Sequence, residues 1–178
     1  MSTPRATPPP HSHTEPETLT LTFPPLAQVD ELAQLRRALA SGLDDCFTCM
    51  SEYRELVGKE APHLAFQALS MVLLYGSIVL NAYDRPHGTN AEELMQNLAP
   101  DTTGSLYAAT RAVLRSLPVQ GTRKAPDGST VAEWDKDKLG ELIMALEPDE
   151  QRKVWGNALG LLVGIARGDG RARAEAGL

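Results

Sequence analysis

Aromatic residues are scarce in this 178-residue chain: three Phe, two Trp and four Tyr, 5% of the whole. A core built without them must rest on Leu, Ala, Val, Ile and Met, and that composition favours helices over a β-sandwich. Cysteine is scarcer still, with only Cys46 and Cys49. Two thiols cannot make a disulfide scaffold, and a chain of this length does not need one. Excess positive charge is lacking too, since the net charge of −6 argues against wholesale wrapping of nucleic acid. Met1 to Pro10 holds no apolar run of the kind a secretory signal requires, so the expectation is a cytoplasmic protein. The chain also lacks a P-loop, a dinucleotide fingerprint, a G-x-S-x-G elbow, an H-E-x-x-H pair and any solenoid-period repeat. Nothing in it speaks for an enzyme or for a cofactor.

What is present is globular: 42% hydrophobic and 22% charged residues. Residues 1–17 carry five prolines and two histidines with little that is apolar. Such a segment cannot bury enough surface to order itself, so residues 1–25 read as a flexible tail. Within it, Thr18–Phe23 alternates polar and apolar residues as a short strand does, before Pro24-Pro25 stops it. A single helical domain is expected over 26–167, with a frayed C-terminus over 168–178.

From Val29 to Val57 the apolar positions follow one near-heptad stripe through Leu32, Leu35, Leu39, Cys46, Cys49, Tyr53 and Leu56. This predicts a long amphipathic helix with Asp30 as N-cap, bent or recapped near Ser41-Gly42. Pro62 opens an apolar helix to about Tyr83, in which Leu64–Ala82 is nineteen residues without a charge. That run is long enough to span a bilayer, but the amphipathic helices beside it need something to cover, and it reads as the buried central helix. Asn90 caps a short helix ending near Ala99-Pro100, and a further helix spans Ser105–Leu117. Around Pro126-Asp127-Gly128 the residues 119–134 predict a β-hairpin, with an irregular loop as the rival. Helices at about Asp137–Leu146 and Pro148–Arg167 close the domain, the last stopped by Gly168-Asp169-Gly170. The fold class is thus mainly α, a helical bundle-like single domain with one small hairpin.

Four features invite a functional reading. Cys46-Phe-Thr-Cys49 offers two soft ligands where a structural zinc wants four, and neither His63 nor His87 stands at zinc-finger spacing. Both cysteines fall on the apolar stripe, so packing is the expectation and no metal site is assigned. Arg85 and His87 lie in a polar loop and need no role there. Gly156, Gly160 and Gly164 recur every four residues in the last helix. Each costs that helix about 1 kcal/mol against alanine, which calls for a close backbone approach. Two partners for that approach stay open, the central helix of the same chain or a second copy. Self-association through this helix or through Val29–Val57 follows from the second.

The fourth feature is an acid-free window, Thr102 to Pro126, holding Arg111, Arg115, Arg123 and Lys124. With those four positive charges set aside, a chain of net charge −6 keeps an excess of ten negative charges elsewhere. Ala91-Glu-Glu-Leu94, Leu98 and Gly104-Ser-Leu-Tyr-Ala-Ala-Thr-Arg-Ala-Val-Leu114 resemble the helix–turn–helix of winged-helix DNA-binding units. The turn is one residue longer than that family's, and Ala99-Pro100 replaces its glycine-containing entry. The resemblance implies a recognition helix over Ser105–Leu117 and a wing over 119–134. Ser105, Tyr107, Ala108, Arg111 and Arg115 would face outward, Leu106, Val113 and Leu117 inward, and Arg123 and Lys124 would meet phosphates. The functional expectation is therefore a non-enzymatic, dimeric DNA-binding protein. Its rivals are a helical protein–protein interaction or assembly module that never meets nucleic acid and, third, a membrane-active helical protein.

Overall fold

A computed structural model describes His13 and residues 29–57, 62–82, 86–99, 104–124, 128 and 130–176. The strand expected at 18–23, and the tail apart from His13, lie outside the described residues. The architecture is mainly α with one two-stranded antiparallel hairpin. In chain order it runs α1 (Val29–Leu43), α2 (Phe47–Val57), α3 (His63–Ala82), α4 (Ala91–Leu98) and α5 (Ala108–Arg115). Then come β1 (Gly121–Lys124), β2 (Thr130–Glu133), α6 (Lys136–Met144) and α7 (Pro148–Ala176).

The central helix is α3. Leu64, Ala68, Val72 and Leu80 form one buried row, and Ala65, Leu69, Leu73 and Ser77 form the next. Two adjacent rows at i, i+4 spacing bury far more of a helix than one amphipathic stripe does. Against them pack α7 above all, then α4, β2, α6 and α1. By length and composition this helix could cross a membrane, yet half of its most apolar window is buried within the fold. From α7 the core receives Val154, Trp155, Ala158, Leu159 and Leu162.

The first helix, expected to bend or recap near Ser41-Gly42, breaks just after that point into two helices. Leu43 ends α1 in a Schellman cap: the Cys46 N–H donates to Ser41 O at 2.8 Å and the Asp45 N–H to Gly42 O at 3.2 Å. Asp45 holds the left-handed position at φ +52 that glycine usually takes. Asp tolerates that region better than most residues, which is why no glycine marks the break. A hydrophobic stripe can continue across such a break when the second helix folds back on the same core. The cysteines meanwhile sit half-buried on the shoulder of the molecule, outside its core.

At the other end, α7 runs straight through Gly168-Asp169-Gly170 to Ala176. Two glycines weaken a helix without forbidding it, and no proline follows to force a stop.

Candidate nucleic-acid interface

Within 90–134 the described residues form a helix, a second helix and a hairpin. Asn90 caps α4 by accepting from the Glu93 N–H at 3.0 Å. Glu93 returns the favour one residue earlier, its Oε2 accepting from the Thr89 N–H and hydroxyl. The approach to this cap needs Gly88, whose φ is +87 and whose Cβ, if it had one, would stand 2.4 Å from Glu93 Cβ. Asn90 also bridges to Pro118, with Ala91 N–H donating to Leu117 O and Val119 N–H to Thr89 O. The segment before α4 is thereby stitched to the segment after α5. From there the chain enters the hairpin, which pairs Gly121 with Glu133 and Lys124 with Thr130. The Ala132 N–H reaches Ser77 Oγ of α3 at 3.4 Å and docks the hairpin on the core.

The second helix opens as a single 3-10 turn, Ser105–Tyr107, before α5. Three residues per turn instead of 3.6 rotate its side chains relative to those that follow. Leu106, expected inward, is consequently 68% exposed, while the inward face is Thr110, Val113, Leu114 and Leu117. Thr110 is fully buried, and its Oγ1 accepts from Asn157 Nδ2 of α7 at 2.9 Å. The same amide donates to Leu106 O at 3.1 Å. Asn157 thus pins both halves of this helix to α7. A lone Asn between Gly156 and Ala158 in an apolar run was the signal for it, since a buried amide has to be satisfied.

The candidate DNA contacts divide by surroundings. Ser105 and Ala108 are exposed and Tyr107 half-buried. Arg115 points out of α5 with 67% of its side chain exposed, but its fork closes on Glu92 of α4: Nε to Oε2 at 2.7 Å, Nη2 to Oε1 at 2.9 Å. That hydrogen-bonded guanidinium, with the charges of Arg115 and Arg111 behind it, holds the Glu92 carboxyl below its ordinary value despite its burial. Arg123 faces Glu133 across the hairpin at 3.6 Å. Lys124 Nζ donates to Thr130 Oγ1 at 2.9 Å. The window from Thr102 to Pro126 is free of acid along the chain, yet Glu92 and Glu133, just outside it, fold against its arginines. As a surface it is a set of ion pairs with a modest positive excess.

A different face of α7 is open. Gly156, Gly160 and Gly164 are all exposed, and a Cβ built at any of them would meet no heavy atom of the described residues within 4 Å. The central helix does not use them. Gly42 shows what internal use looks like: its Cβ would stand 2.6 Å from Val163 Cγ2, where α1 crosses α7.

No known family, curated protein or solved structure matches this chain.

Proposed function

We propose that the chain is a helical assembly module that pairs with a second copy of itself through the glycine face of α7. The observation that carries this reading is the empty space over Gly156, Gly160 and Gly164. Each glycine costs about 1 kcal/mol of helix propensity, and no contact among the described residues offsets it. Close approach of a second backbone would, and it needs small residues on both sides. Two copies crossing antiparallel about a two-fold axis at Gly160 set Gly156 opposite Gly164, so one face is complementary to itself. Large exposed apolar residues are tethered to the same stretch of helix. Asn157 holds the carbonyl of the exposed Leu106, and Arg167 holds Asp45 at 2.9 Å, two residues before Phe47, which is 78% exposed.

Light scattering across a concentration series tests this reading. Wild type is expected to be dimeric, and Gly160→Leu to be a folded monomer, because the inserted side chain enters space the monomer leaves empty. A wild-type protein that stays monomeric at high concentration would overturn the reading.

The second reading is DNA binding by α4, the 3-10 turn, α5 and the hairpin. It is favoured by the order helix, helix, hairpin and by the exposed Arg115 on an acid-free helix. Contacts would come from Ser105, Tyr107, Arg111, Arg115, Arg123 and Lys124. Fluorescence anisotropy with duplex DNA at two salt concentrations separates the readings. Phosphate contact by Arg111 and Arg115 predicts that the double alanine variant loses about one unit of logarithmic salt slope per arginine. Absence of binding at low salt removes this reading and leaves the first.

A further inference from the structure

We propose that His13, Cys46 and Cys49 form a zinc site at the junction of α1 and α2, with the fourth coordination position open to water. The metal-binding atoms of the three residues all lie within 4.8 Å of one another. Tetrahedral zinc, with Zn–S of about 2.3 Å and Zn–N of about 2.0 Å, sets two sulfurs and one nitrogen about 3.5–3.8 Å apart. The cluster therefore needs only small side-chain movements to close on an ion. The spacing Cys46-x-x-Cys49 places one thiol just before α2 and the other in its first turn.

The imidazole carries a separate sign of the same chemistry. His13 Nδ1 lies 2.8 Å from Asp44 Oδ2. A carboxylate on Nδ1 fixes that proton and offers Nε2 to a metal, the arrangement that orients histidine ligands in zinc sites. Two sulfurs and one imidazole select a borderline-soft cation over magnesium or calcium, which ask for oxygen. A coordinated cation takes both sulfurs as thiolates. Sequence spacing could not show this site, because the third ligand comes from the proline-rich segment far from the C-x-x-C pair.

The test uses the full chain and the metal ions alone. Purified protein freed of metal is titrated with Zn²⁺ against a chromophoric chelator, and separately with Co²⁺, whose visible bands report tetrahedral thiolate ligation. The expected result is one ion per chain, lost in Cys46→Ser/Cys49→Ser. His13→Ala should weaken binding at least as much as Asp44→Asn, for which loss of the orienting carboxylate predicts about 10–100-fold. Because His13 also bonds Asp44 at the α1–α2 junction, the melting temperature of metal-free His13→Ala is measured beside its affinity, so that a lost ligand is told apart from a loosened fold. Absence of stoichiometric binding overturns the site, as does equal affinity in wild type and His13→Ala.

Discussion

Arg115 Nε and Nη2 close on the two carboxylate oxygens of Glu92, at 2.7 and 2.9 Å, clamping α5 to α4 with a fork-on-fork pair. Only 11% of the Glu92 side chain is exposed, so its charge is tolerable only while that fork is in place. Removing Arg115 alone is expected to destabilise more than removing both partners in Arg115→Ala/Glu92→Leu. Acid should act the same way. The folded-state value of Glu92 lies below the ordinary carboxylate range, so its stabilising effect is present above that range and is lost as pH falls through the lowered value. Melting temperatures of wild type and Glu92→Gln should therefore converge in strongly acid solution. A gap that stays constant down the titration would show that the pair contributes no pH-dependent stability.

Gly88 is the residue on which the α4 cap turns. Its φ of +87 is open to glycine and poorly open to alanine, and a Cβ would collide with both Cβ and Oε2 of Glu93. Gly88→Ala is expected to cost about 1–3 kcal/mol, read as the shift in a urea unfolding midpoint at unchanged slope. An unchanged midpoint would mean that the loop relaxes freely around the new methyl.

Asn157 couples α7 to the second helix through one amide and two acceptors, Leu106 O and Thr110 Oγ1. Asn157→Ala leaves the fully buried Thr110 hydroxyl without that donor, at an expected cost of about 1–3 kcal/mol. Thr110→Val in the same background should recover part of the loss, since it removes the stranded polar group. If Asn157→Ala is as stable as wild type, the amide does not hold these helices together.

Helix identity was legible wherever local chemistry decides it. Asn90 caps α4 because a short polar side chain before an amphipathic run has one productive use, and the apolar run after Pro62 is α3. The break after Leu43 was harder to see, because Asp45 stands in a conformation that sequence associates with glycine. The candidate site was less legible still. An acid-free window describes neighbours along the chain, whereas Arg115 and Arg123 are answered by Glu92 and Glu133 from other elements. Similarly, the C-x-x-C pair looks incomplete until His13 arrives from a segment with no helical pattern of its own. Charge balance and ligand sets depend on three-dimensional neighbours, and one-dimensional spacing does not contain them.

The glycines of α1 and α7 supply the sharpest contrast. At Gly42 an added Cβ would press on Val163 Cγ2 at 2.6 Å, whereas at Gly156, Gly160 and Gly164 it would meet nothing within 4 Å among the described residues. Gly42→Ala should therefore overpack the α1–α7 crossing and destabilise by about 1–3 kcal/mol, with Val163→Ala restoring part of the loss. Gly160→Ala should do the reverse to the isolated fold, gaining up to about 1 kcal/mol of helix propensity. If α7 pairs with a second copy, the same methyl also intrudes on the seam, so the dimer weakens while the monomer grows more stable. Chemical unfolding at low protein concentration, where monomer dominates, and sedimentation equilibrium at high concentration measure these two effects separately. A Gly160→Ala protein that is stabilised and dimerises as tightly as wild type would mean that this face is not the seam. Opposite shifts in the two measurements are what a glycine-to-glycine contact between copies requires.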